Sequence, residues 1–128
     1  MARRLTVLQD DLMFAQRVTA AARRLGVPLQ VVPAAEAPGL AWTPDDVIVV
    51  QATLWPEKQL ALIDRLIHRQ PAPTVVAVTG HLETELRRRL KAAGAILAPH
   101  SSMDPVLARA LGISDGPDAG RGQPRPAD

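Results

Sequence analysis

The chain alternates short apolar runs with amphipathic stretches from one end to the other. Residues 5 to 9, LTVLQ, are an apolar run that stops at Asp10 and Asp11. The stretch LMFAQRVTAAARRLG follows, with Leu12, Ala15, Val18, Ala22 and Leu25 at helical spacing and Gly26 where a helix would close. PLQVV (28 to 32) predicts a second strand, and the Ala- and Pro-rich PAAEAPGLAWTP after it leaves room for only a turn or two of helix. VIVVQ, ending on Gln51, predicts a third strand. Pro56 beside Glu57 suits a first helical turn, and Leu60, Leu62, Ile63, Leu66 and Ile67 make the inward stripe of a helix to about Gln70. TVVAVT predicts a fourth strand, and HLETELRRRLKAAG a helix with Leu82, Leu86, Leu90 and Ala93 inward and Gly94 at its end. AILAP (95 to 99) predicts a short fifth strand, and Asp104 with Pro105 opens a last helix, PVLARALG.

Strands that are apolar almost without interruption and that alternate with helices predict a parallel sheet covered on both faces. The expected fold class is α/β, a three-layer doubly wound sheet of five strands with a shortened second helix, occupying residues 1 to 111 as one domain. From Gly112 to Asp128, four Gly and three Pro with no apolar periodicity predict a disordered tail.

Composition narrows the chemistry. There is no cysteine, which excludes disulfides, thiolate nucleophiles and Cys-type zinc sites. Fifteen Lys and Arg, nearly all Arg, stand against 13 Asp and Glu, a net charge of +2 that draws only weakly on anionic partners. Aromatic residues are 2% of the chain, which argues against a nucleic-acid surface built on base stacking. Apolar runs such as TVVAV are far shorter than the roughly 20 residues of a membrane helix, and MARR leads into a strand, so a cytoplasmic protein with no membrane segment is expected.

In an open parallel sheet, function sits in the crevice beyond the carboxyl ends of the strands. This sequence puts Asp10 and Asp11, Gln51 and Thr53, Thr79, Gly80 and His81, and Pro99, His100 and Ser101 there. The segments VLQDD, DDVIVVQ, VVAVTGH and LKAAGAILAP, in that order and at similar spacing, resemble a response-regulator receiver domain of the flavodoxin-like, CheY-like fold, over nearly all of residues 4 to 111. The resemblance implies strand order 2-1-3-4-5. It also implies a phosphorylation pocket, in which an aspartate at the end of the third strand attacks a phosphodonor. An acidic pair holds Mg²⁺, and a Thr or Ser hydroxyl and a fifth-strand Lys bind the phosphoryl group.

Residue by residue, Asp10 and Asp11 match the acidic pair, Thr79 the hydroxyl and Gly80 the small residue after it. Gln51 stands in the acceptor's place, where a neutral carboxamide has neither the charge nor the nucleophilicity to form an acyl phosphate. No Lys follows Lys91, so the fifth-strand cation is missing too, its place falling within Pro99 to Ser101. The expectation is a degenerate receiver, a pseudo-receiver without catalytic residues, that acts in signalling through protein interaction and not through aspartate phosphorylation. The alternative is a small-ligand-binding or hydrolytic domain on the strand-end rim cluster Asp10, Asp11, Thr79, His81 and His100, with Ser101 and Trp55 as further rim candidates.

The resemblance implies that Asp10 and Asp11 form a vestigial acidic pocket with Thr79 and Gly80. One of the two aspartates is expected to cap the first helix, and no cofactor is expected beyond a weak Mg²⁺ site at the pair. APHSSMD lacks the G-x-S-x-G elbow of a serine hydrolase, and QDDLM lacks the D-x-D of an aspartate-nucleophile phosphatase. RRRLK puts Arg87, Arg88, Arg89 and Lys91 off the inward stripe. The resemblance makes that side, the face of a receiver's fourth and fifth helices and the strand between them, the expected surface for a protein partner or for self-association.

Overall fold

The computed structural model describes residues 3 to 113; residues 114 to 128, most of the expected tail, lie outside the described residues. The strands are β1 (Arg4–Gln9), β2 (Leu29–Pro33), β3 (Asp46–Gln51), β4 (Thr74–Thr79) and β5 (Ile96–Pro99), and the helices are α1 (Leu12–Leu25), α2 (Pro56–Ile67), α3 (Thr84–Ala92) and α4 (Met103–Leu111). All strand pairs are parallel, in the order β2-β1-β3-β4-β5. The expected doubly wound sheet is what these residues form. All of β3, the central strand, is buried, because both faces of the sheet are covered.

One face packs Leu5, Val7, Val47, Val49, Val76 and Val78 under α1 and α4, through Phe14, Val18, Met103 and Leu107. The other packs Leu8, Ile48, Val50, Val75 and Ala77 under α2 and α3, through Ile63, Leu66 and Leu90. Where a second helix would lie, the chain makes only a 3-10 turn over Ala34–Gly39. Trp42 takes up the remaining space. It is 5% exposed, packs in the second core with Leu8, Val32 and Ile48, and its indole N–H donates to Ala37 O at 2.9 Å. The Arg69 guanidinium holds the same turn from outside, donating to Pro38 O and Leu40 O.

Several expected boundaries shift. Leu12 is 62% exposed, because Asp11 caps α1 and Leu12 is the first residue of the helix, ahead of the turn that faces the core. Leu82 is 81% exposed, because α3 begins at Thr84 and the preceding residues form a turn. α2 ends at Ile67, not near Gln70. The folded unit extends past residue 111. Gly112 takes the left-handed conformation (φ 74°) that closes α4, and Ile113 N–H donates to Ala108 O at 2.8 Å while its side chain packs on the first core. Among the described residues, no helix is long and apolar enough to cross a membrane.

Candidate functional site

The crevice at the carboxyl ends of the strands gathers Asp10 and Asp11 after β1, Gln51 and Thr53 at and after β3, Thr79, Gly80 and Glu83 at and after β4, and His100 after β5. Asp11 accepts from Met13 N–H through Oδ1 at 3.1 Å and is the α1 cap. Asp10 is engaged differently. Gln59, on the first turns of α2 and only 1% exposed, donates its Nε2 to Asp10 Oδ2 at 2.8 Å. A neutral amide N–H therefore meets one oxygen of a carboxylate that the resemblance implies as a metal ligand. Gln51 is 9% exposed and turned back on its own loop, its Oε1 accepting from Thr53 N–H at 3.2 Å. Among the described residues no group of three or more His, Cys, Asp or Glu side chains is placed to hold a metal ion.

A second network lies beside this one. Glu83 Oε2 accepts from Gly80 N–H at 2.7 Å and from the Thr53 hydroxyl at 2.7 Å. His100 Nε2 lies 3.3 Å from Thr53 Oγ1, and Arg17, on α1, brings Nη1 to 3.3 Å from His100 Nδ1 and donates through Nη2 to His100 O at 2.8 Å. Thr79 is fully buried and its hydroxyl accepts from Arg87 Nη1 at 3.3 Å. Glu83, Arg17 and Gln59 carry much of this geometry, and none of them is among the candidates the sequence pattern points to.

The rim candidates fare unequally. His100 is in the network, whereas His81 and Ser101 are exposed and take part in no described side-chain hydrogen bond. Both ring nitrogens of His100 face groups other than serine, so among the described residues His100 forms no Ser–His pair. The group behind Nδ1 is a guanidinium, the opposite of the carboxylate that orients a catalytic imidazole. Trp55 is 52% exposed, sits in the left-handed region at φ 53° ahead of α2, and carries the Lys58 ammonium 5.2 Å from its ring centre.

The basic run is not one outward patch. Arg87 turns in to Thr79, Arg88 pairs with Glu85 on its own helix, Arg89 pairs with Glu57 of α2 at 2.6 Å, and Lys91 alone of the four is exposed without a described partner. Helical spacing places Arg87 off the Leu stripe, and so it is, but α3 packs at the sheet's edge and residue 87 faces the β4 end.

His100 is held below the ordinary imidazole range, first by burial and then by the Arg17 charge, against a weaker upward pull from Glu83. The unfolded chain therefore takes up this proton at higher pH than the folded one. Stability is complete above about pH 6.5 and falls as the pH drops toward the lowered folded value. His100→Gln is expected to flatten the stability slope between about pH 7 and pH 5 in urea titrations. An unchanged slope would mean that the imidazole is not held neutral in the fold.

No protein-family model and no curated protein matches the chain significantly. Solved structures do. A response regulator from Colwellia psychrerythraea superimposes with a TM-score of 0.66 at 12% identity, over 88% of this chain and 95% of that one. A response regulator receiver protein from Burkholderia phymatum gives 0.66 at 18% identity, over 88% and 97%. With the strand order and the two-sided core, these likenesses establish the receiver-like, CheY-like fold for this chain.

Proposed function

We propose that the chain is a pseudo-receiver: a non-enzymatic signalling module that works by binding a protein partner or a second copy of itself, and not by aspartate phosphorylation. The observation that carries this reading is the pair of amides in the pocket. Gln51 ends β3 where a phosphoacceptor carboxylate would be needed, and Gln59 donates its amide N–H to Asp10, one of the two acids of the pair. An acyl phosphate needs an anionic oxygen nucleophile and a cation to offset the developing charge; a neutral carboxamide stands in the first place, and a second one engages an oxygen of the acidic pair.

The recognition surface in this reading is the face of α3, β5 and α4. It offers Arg88, Lys91 and the 42% exposed Ile96, so reversing the charge of Arg88 and Lys91 weakens capture of the partner. Trp55, Leu12, Met13 and Leu82, all exposed on segments at the carboxyl end of the sheet, give the crevice an apolar rim suited to contact with protein.

A test follows from the amide on Asp10. Millimolar Mg²⁺, with or without beryllium fluoride, leaves the melting temperature unchanged apart from an ionic-strength effect that chloride reproduces. A rise in melting temperature that disappears in Asp10→Ala would instead mean a working receiver pocket.

A further inference from the structure

The hydrogen bonds between α1 and the β4 loop run in one direction. Arg17 has donors only, so His100 Nδ1 must accept from it, and the proton of the neutral ring is assigned to Nε2. Nε2 then donates to Thr53 Oγ1, leaving the Thr53 hydroxyl proton for Glu83 Oε2 at 2.7 Å. Gly80 N–H reaches the same oxygen from the other side, also at 2.7 Å. Every donor in the series ends on one carboxylate oxygen, and the Arg17 charge at its head polarises the series toward that oxygen. A Cβ on residue 80 would stand 3.0 Å from Glu83 Oε2, so the carboxylate would have to give by a few tenths of an ångström.

We infer that Glu83 is a tethered anion. Its carboxylate occupies an oxyanion hole made by Gly80 N–H and the Thr53 hydroxyl, with His100 and Arg17 behind, and the domain thereby carries its own permanent substitute for a phosphoryl group. The inference rests on the preceding reading that no aspartyl phosphate forms, and it names what fills the pocket instead. Gly80 follows Thr79 at the end of β4 and Thr53 lies two residues after Gln51 at the end of β3, so the carboxylate ties together the loops after those two strands. The hole's chemistry is that of a small oxyanion, a carboxylate or a phosphate. With its anion built in, the arrangement of the loops after β3 and β4 does not depend on a phosphodonor.

Removing the carboxylate from the full chain tests this. Glu83→Ala is expected to lower the melting temperature by about 5 °C. Inorganic phosphate or acetate at tens of millimolar, order of magnitude as for a weak two-donor site, then restores much of the loss and moves the Gly80 amide and His100 ring resonances. Chloride at matched ionic strength does neither, and the wild-type resonances stay still because their hole is filled. Stronger rescue by phosphate marks a phosphoryl-shaped hole and stronger rescue by acetate a carboxylate-shaped one, and either supports the inference. Should the alanine variant fail to fold, Glu83→Gln keeps the shape, and its Gly80 amide proton moves upfield as the charge on its acceptor disappears. The inference is overturned if no anion moves Gly80 in Glu83→Ala and the amide is unshifted in Glu83→Gln, or if wild type answers phosphate as strongly as the variant. An aspartyl phosphate on wild type would overturn the pseudo-receiver reading even with the anion response intact. A lost anion response without any adduct overturns the tethered carboxylate alone.

Discussion

Gln51→Asp is expected to cost the domain about 2–4 kcal/mol at neutral pH, the penalty of a largely desolvated carboxylate with no cation beside it. Position 51 is 9% exposed, and the neighbouring acid groups are already committed, Asp10 to Gln59 and Glu83 to Gly80 and Thr53. Another carboxylate would meet like charges, and its backbone donor, Thr53 N–H, offsets only part of that. The sign of the pH dependence follows. The new carboxyl has a folded pKa above its unfolded one, so it is harmless when protonated and the deficit opens as the pH rises past about 4. Urea denaturation of wild type and variant at pH 4 and pH 7 reads both numbers. Equal stability at pH 7 would mean that the pocket still supplies a cation's compensation, which would contradict a pocket closed by neutral amides.

Trp42→Ala is expected to be costlier, about 3–5 kcal/mol, the range for deleting a large buried aromatic ring. The ring does more than fill space. Its N–H on Ala37 O fixes the 3-10 turn that stands in for a second helix over Leu8, Val32 and Ile48. The loss should thus appear twice, as a lower denaturation midpoint and as faster hydrogen exchange in the amides of residues 34 to 40. A penalty under about 1 kcal/mol would show that the shortened side of the sheet is held by something other than this residue.

The sheet was legible because its strands are unbroken apolar runs closed by polar or turn residues, a pattern that survives any detail of packing. The ends of the helices were less so. Leu12 and Leu82 keep the helical period, but the period continues past the residues that cap or precede the helix, and only the backbone shows that the chain has not yet turned inward. The contents of the pocket divide in the same way. That Gln51 cannot accept a phosphoryl group is a property of the side chain and is readable from the letter alone.

The residues that fill the pocket were hidden for different reasons. Glu83 had a local signal: an acid three residues after a strand-end glycine can fold back onto that glycine's N–H, as the acidic partner of a capping box does. Gln59 and Arg17 had none. Each is a polar residue on a helix, and its target, Asp10 or His100, is far away in sequence. Arg87 departs from expectation for the same reason, since helical spacing tells which residues leave the stripe but not what stands opposite them.

A single direct measurement tests whether a phosphoryl–carboxylate bond forms in this fold. The purified chain is incubated with acetyl phosphate and Mg²⁺ and weighed intact, before and after hydroxylamine. One unmodified mass is expected throughout. A phosphate-mass adduct that hydroxylamine removes, mapped to residues 3 to 113, would contradict the pseudo-receiver reading.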